Sequence, residues 1–473
     1  MNRTNPSYDS LLSSHIKRIL EVLKQPSIFC DLPNIRRCAE LYVKYLREAG
    51  FQKTSLVETG RSPIVQAEYY CGAPKTVLIY SYFDMLPQEN ETHEVKAEIT
   101  NISPFGRCLI GRGIASKGAG VAFINAVEGF LNVQGRLPVN VKFLAEGEEM
   151  YGSDHIPWFI NHHGQWLHDI DAVYVPSMSQ GLDGRPISIS LGGKGFIGFE
   201  LTCSGANWGR GPKGRDAHSS TKSIVDSPMW RLVKAINTLV SDDDERILID
   251  GFFENVRSPT AKEKELALEL YNSLNEEILK KRLDVDTFLH DSKGIDVLMH
   301  YLFDPALNME GIPLTSVDPV GVVSHKATAK LQSRIVPDQT VSEIIEKIRS
   351  HLRRCGYGDI EIRTLYGFGP ARTSLDAPII QAVLRLYGDA GLEPPAVYPS
   401  SPASSPVNAL NNTLGIPCAS GGLGHVGREQ EMEYLVLDDC GRIAGLAQIE
   451  KSFIDVLHNY FEHSIGDQRN TLR

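Results

Sequence analysis

The stretch Val139-Asn140-Val141-Lys142-Phe143-Leu144-Ala145-Glu146-Gly147-Glu148-Glu149 joins an apolar run to three carboxylates. Val139 to Ala145 has the length and the β-branched and aromatic content of a buried strand. The carboxylates at its end repel one another unless they are solvated, protonated or neutralised by a cation. Open α/β sheets carry their ligands at such strand ends, so the stretch predicts a layered fold and marks a candidate site. A solvated acidic turn accounts for the same residues taken alone.

Working outward, Ser7 to Gly50 carries apolar residues at helical spacing and predicts two opening helices. Gln52 to Glu58, Ile64 to Tyr70 and Thr76 to Tyr80 read as short strands, and Gly118 to Leu131 as a helix. Beyond the acidic turn come a helix over Ile156 to His163 and a strand over Ala172 to Val175. Alternating strands and helices give the class α/β, a layered domain with a mixed sheet. From Ile187 the order becomes strand, helix, strand, strand, helix, strand, as in an α+β sandwich with its helices on one side. The last segment has too little material for its own core and is expected to return to the first domain. The expected organisation is residues 1–192 and 396–473 as one discontinuous domain, with an insertion over 193–395.

The chain has 473 residues, 42% hydrophobic and 22% charged, which is too much for one core and too apolar for a disordered chain. The formal net charge of -10 argues against nucleic acid as a partner. Its apolar stretches fall short of a membrane span. The N-terminus does not read as a secretory signal, and the 8 cysteines form no C-x-x-C pair. A cytoplasmic protein with reduced thiols is expected.

Four loops follow strands of the first domain. Asp84 stands near Pro87, where a turn residue is equally expected. Gly111-Arg112-Gly113 with Lys117-Gly118 opens a helix and is a weak anion-binding pattern. The acidic turn is the third. His425 ends Gly421-Gly422-Leu423-Gly424-His425, a flexible loop; a lone histidine is more often structural than catalytic.

In this order the loops resemble the zinc exopeptidase family of aminoacylases, carnosine dipeptidases and acetylornithine or succinyl-diaminopimelate deacylases, over nearly the whole chain. That family has Gly-His-x-Asp-x-x-Pro where Ser81, Tyr82, Asp84 and Pro87 stand. Its Gly-Arg-Gly-x-x-Asp-x-Lys-Gly is similar to Gly111 to Gly118, its Glu-Gly-x-Glu-Glu-x-Gly-Ser to Glu146 to Ser153, and its His-x-x-Asn-Glu to His425 to Glu429. The resemblance implies that the first domain is catalytic and that the insertion serves as a dimerisation or lid domain.

The departures from the pattern fall on metal ligands. Tyr82 replaces the first histidine. The bridging aspartate falls in a stretch shortened by one residue, where only Ala115 and Ser116 remain. Met150 replaces the glutamate ligand and Ser177 a further aspartate, so His425 alone is kept of the five. Glu149 keeps the place of the proton-transfer residue. His218 matches a histidine that in relatives enters the partner's site, Arg334 matches an arginine that pairs a substrate carboxylate, and Ser404 approximates a substrate loop. A register shifted by one residue would make Glu148 the base and Glu149 a ligand, holding a single ion with Asp84 and His425.

The resemblance therefore implies an amide-bond-processing enzyme with Glu149, Tyr82 and Asp84 as catalytic residues and His218, Arg334, Ser404 and His425 binding substrate. No cofactor is expected, and zinc is left open. The expected substrate is a small peptide or N-acylated amino acid, the expected state a homodimer, and the reaction hydrolysis, cyclisation or acyl transfer. Two alternatives stand beside it: an inactive relative that binds a ligand or partner, and a conventional metallopeptidase with a remodelled metal site.

Overall fold

The protein is represented by a computed structural model that describes residues 8–87, 95–182, 186–242, 246–312, 321–429 and 432–471. The chain divides into two compact units. Met1–Leu191, Arg372–Tyr398 and Thr413–Arg473 form the first, and Gly192–Ala371 with Pro399–Asn412 the second.

The return to the first unit thus comes at Arg372 and not at residue 396, a correction that rests on one helix. Pro378–Asp389, which the sequence reading missed, buries Ile379, Ile380, Val383 and Leu386 and packs on the closing helix Leu446–Thr471. Residues 399–412 belong instead with the insertion. There the Asn408 amide donates to the carbonyl of Lys194 at 3.1 Å and that of Asn412 to the carbonyl of Pro370 at 2.9 Å.

The first unit is built on a mixed six-stranded sheet in the order Lys53–Val57, Ile64–Tyr69, Asn140–Glu146, Thr76–Tyr82, Ala172–Pro176, Cys418–Gly421. The last four strands run parallel to one another, and the first two pair antiparallel. Every residue of Asn140–Glu146 is buried, as an apolar strand with both faces covered should be. The predicted opening helices are Tyr8–Lys24 and Leu32–Glu48, and the third is Ala119–Gln134. A second, antiparallel sheet in the order Val426–Glu429, Met432–Val436, Gly106–Gly111, Ala97–Ile102 was not foreseen.

The second unit is an antiparallel sheet in the order Ala306–Gly311, Lys326–Ile335, Gly195–Ser204, Glu361–Phe368. Lys326–Ile335 alternates between buried and more exposed positions, with Ala327, Ala329, Leu331, Ser333 and Ile335 inward, the period-two pattern of a half-covered sheet. Ile197, Phe199, Leu201 and Cys203 join them in one core with Leu232 of helix Pro228–Asn237 and Ile344, Ile348 and Leu352 of helix Val341–Arg354. The charged stretch over 259–283 forms two helices, Ala261–Tyr271 and Glu276–Leu283. Among the described residues no helix is long and apolar enough to cross a membrane.

Candidate active site

The parallel strands end side by side. Tyr82 pairs with Glu146, and Pro176 with Gly421, so the loops after them share one edge of the sheet, where such folds bind ligands. Phe83 extends the ladder by donating its N–H to the carbonyl of Glu146 at 2.9 Å. Asp84 follows and is fully buried. Its Oδ1 accepts the N–H of Glu149 at 3.1 Å and its Oδ2 the N–H of Met150 at 2.8 Å. Asp84 thereby holds the first turn after the acidic loop, which is the turn role the sequence allowed. Burial pushes its carboxyl up to about 6, against the pull of these N–H groups.

The three glutamates of the acidic turn have separate fates. Glu146 accepts from the Tyr80 hydroxyl and, at 2.8 Å, from Ser153 Oγ. Complete burial pushes its carboxyl well above the ordinary carboxylate range, against the pull of these two hydroxyl donors. Glu148 is also buried, but it accepts from the Ser62 N–H at 3.2 Å, meets His155 Nδ1 at 2.6 Å and lies 3.4 Å from Arg61 Nη2. Bonded on three sides, Glu148 holds the loop, which argues against the shifted register in which it was the base. The carboxylate of Glu149 makes no hydrogen bond among the described residues. Burial first, and the charge of Asp84 second, push it up to about 7.

Tyr82 ends its strand with a hydroxyl that makes no hydrogen bond among the described residues. Its phenol is pushed up by burial and then by the negative charges of Glu149, Asp84 and Glu433, so it stays a proton donor. Glu433 was missed by the sequence reading. It lies opposite Gly111 in the unforeseen sheet, and its Oε2 accepts the N–H of Ala115 at 3.0 Å. A carboxylate is thus bound to the shortened stretch where the family pattern has an aspartate. Lys117 in the same stretch is fully buried and donates to the carbonyl of Gln25 at 2.8 Å, an anchoring role and not an anion-binding one.

On the neighbouring strand end, Ser177 Oγ lies 3.0 Å from the hydroxyls of both Ser179 and Ser420. His425 Nδ1 lies 2.7 Å from the carbonyl of Gln180. A carbonyl only accepts, so Nδ1 is the donor, and in the neutral ring Nε2 holds the lone pair. Nε2 is buried without a hydrogen-bond partner among the described residues.

Tyr82, Asp84, Glu149 and His425 therefore belong to the first unit, and His218, Arg334 and Ser404 to the second. His218 is exposed, its Nδ1 2.9 Å from Ser220 Oγ. Asp216, two residues before it, pairs instead with His325 Nδ1 at 2.6 Å. Arg334 donates from Nη1 to Ser404 Oγ at 2.7 Å and lies over the Phe196 ring at 4.4 Å. Burial lowers its pKa from the usual guanidinium value.

A family model described as peptidase family M20/M25/M40 matches residues 78–446. The sequence is 28% identical over 327 residues to the beta-Ala-His dipeptidase of Mus musculus, a match covering 65% of this chain and 62% of that protein. It is 26% identical over 366 residues to the Cys-Gly metallodipeptidase of Candida albicans, covering 73% of each. The matched stretch is thus under two thirds of the mouse relative's length. An M20 family metallo-carboxypeptidase from Sulfolobus solfataricus superposes with a TM-score of 0.80 at 28% identity, covering 95% of this chain and 99% of that one.

Proposed function

This chain belongs to peptidase family M20/M25/M40, and from that premise we propose that it is an amide-bond-processing enzyme acting on small, carboxylate-bearing peptides or N-acylated amino acids. The observation that supports it most directly is the contrast within the acidic turn. Glu146 and Glu148 are hydrogen-bonded, while the Glu149 carboxylate makes no hydrogen bond among the described residues and has a pKa near 7, as a group that exchanges protons at neutral pH requires.

The family implies zinc, and relatives carry metallopeptidase names. At the family's ligand positions this chain offers the Tyr82 phenol, the Ser116 and Ser177 hydroxyls, the Met150 thioether and one imidazole, His425. Neutral oxygen and thioether donors bind zinc poorly. Among the described residues no group of three or more His, Cys, Asp or Glu side chains is placed to hold a metal ion. This donor set does not fit a zinc pair, and the proposed chemistry is acid–base chemistry of the side chains.

In that chemistry Glu149 takes a proton from the attacking nucleophile and returns it to the leaving amine. Tyr82 donates to the oxygen of the reacting carbonyl as it gains negative charge. Asp84 fixes the backbone of Glu149, and the lone pair at His425 Nε2 accepts a hydrogen bond from substrate. Arg334, in the second unit, is assigned to a substrate carboxylate, and a homodimer is part of the same proposal. With water as nucleophile the products are a carboxylate and an amine. A substrate amine or thiol in its place gives cyclisation or acyl transfer.

Metal analysis of the purified protein, together with product analysis on dipeptides and N-acyl amino acids, tests the proposal. Turnover that survives exhaustive chelation is expected. Two equivalents of zinc per chain, with activity lost on their removal, would replace the proposal with a conventional metallopeptidase. Absence of turnover on every amide tried, with retained peptide binding, would favour the inactive binding relative.

A further inference from the structure

The loop that carries His425 has little stiffness of its own. Gly422 and Gly424 adopt φ of +147° and +90°, in the region that favours glycine. A Cβ at Gly424 would come within 2.4 Å of Ile449 Cδ1. Such a loop does not by its own sequence hold an imidazole in one orientation, so its neighbours must.

We infer that Gln180 is the positioning residue for His425, fixing both the path of its loop and the tautomer of its ring. Gln180 is 6% exposed. Its Oε1 accepts the N–H of Gly424 at 2.6 Å and that of Ala444 at 3.0 Å, and its Nε2 donates to the carbonyl of Arg442 at 2.7 Å. One carboxamide thus ties the glycine loop to the turn that precedes the closing helix Leu446–Thr471. The main chain of Gln180 works on the same loop. Its N–H donates to the carbonyl of Gly424 at 2.8 Å, and its carbonyl receives the His425 Nδ1 proton at 2.7 Å.

The consequence is chemical. With the proton committed to Nδ1, Nε2 presents a lone pair and acts as an acceptor. Were the loop to shift by about an ångström, the Nδ1 bond would break, and either ring nitrogen could then carry the proton. Displacements of that size are enough to cost on the order of a hundredfold in rate. The inference rests on the reading of His425 as a site residue, but its deciding readout, the tautomer of the ring, does not use substrate.

The test is imidazole nitrogen NMR on the full-length protein labelled with 15N-histidine, with the His425 signals assigned by their loss in His425→Gln. Wild-type protein is expected to show His425 protonated on Nδ1 alone. Gln180→Met keeps the side-chain length and removes all three hydrogen bonds of the carboxamide. It is expected to give a mixture of tautomers and a fall in kcat/KM of roughly tenfold to a hundredfold. A wild-type ring protonated on Nε2, or unchanged His425 signals in Gln180→Met, would overturn the inference. If Gln180→Met does not fold, Gln180→Glu, which keeps an acceptor for both N–H groups, is expected to keep the wild-type signals; their loss would overturn it too. Unimpaired dipeptide turnover in His425→Gln would sink the reading of the site and leave the tautomer result standing, so the two fail separately.

Discussion

Asp84 holds Glu149 by the backbone and disturbs it by charge. Its Oδ1 accepts the Glu149 N–H at 3.1 Å, while its negative charge is the second cause, after burial, of the raised Glu149 pKa. Activity that depends on ionised Glu149 should rise with pH through about 7, since the acid form dominates below that value. In Asp84→Asn the repulsion is gone and burial alone remains. The acid limb of kcat/KM should move down by roughly one unit. One N–H of the turn would then face an amide NH2, a loss of about 1–3 kcal/mol that denaturant unfolding would register. An acid limb that does not move would separate Asp84 from the titration of Glu149.

Glu149→Gln isolates the proton-transfer role. The carboxylate makes no hydrogen bond among the described residues, so the fold gives up nothing when it is replaced. Its folded pKa lies above the unfolded one, so ionisation above about pH 7 costs stability that a glutamine does not. Product formation should fall by about 10²–10⁴ while the melting temperature above pH 7 stays level or rises. Unchanged turnover would remove Glu149 as the base.

Glu148→Gln should behave in the opposite way. Its carboxylate accepts from the Ser62 N–H and meets His155 Nδ1, and an amide serves both poorly. Breaking bonds to a buried charged acceptor costs about 1–3 kcal/mol. Thermal unfolding should show that loss, with kcat/KM within a few-fold of wild type. Loss of turnover without loss of stability would restore the shifted register.

How far these roles could be read from sequence depended on whether a signal was local. Val139 to Ala145 gave a strand because a continuous apolar run needs cover on both faces, and Asn140–Glu146 is buried throughout. The difference between Glu148 and Glu149 was not legible, since adjacent identical residues are told apart by partners that the local pattern does not announce, Arg61 and Ser62 from a distant loop and His155 from the start of the next helix. Glu433 was missed for a similar reason. Its strand pairs with Gly106–Gly111 across more than three hundred residues of sequence, and Ala97–Ile102 beyond it is largely solvent-facing, with no apolar alternation to announce the sheet. The helix Pro378–Asp389 did carry helical spacing, but the expected boundary at 395 assigned it to the other domain.

The last prediction concerns stability, at a buried charge cluster away from the proposed chemistry. His15 is fully buried on helix Tyr8–Lys24, its Nδ1 2.7 Å from Glu450 and its Nε2 3.5 Å from Glu128. Arg18 also pairs with Glu128 and reaches Glu48 at 3.2 Å, and Asn125 donates to Glu450 at 3.2 Å. Burial opposes the imidazolium, but hydrogen bonds and attraction from the two glutamates outweigh it and hold His15 up at about 9, from 6.5. A raised pKa stabilises the fold fully below the unfolded value and ceases to as pH climbs through the folded one. The stabilisation should therefore be complete below pH 6.5 and gone above about 9, a loss on the order of 3 kcal/mol. Melting temperatures measured from pH 6 to pH 10 should fall across that window in wild type. In His15→Gln the curve should start lower and lack the step, because no proton is left to lose. A wild-type curve parallel to that of His15→Gln would show that His15 is not charged in the folded protein.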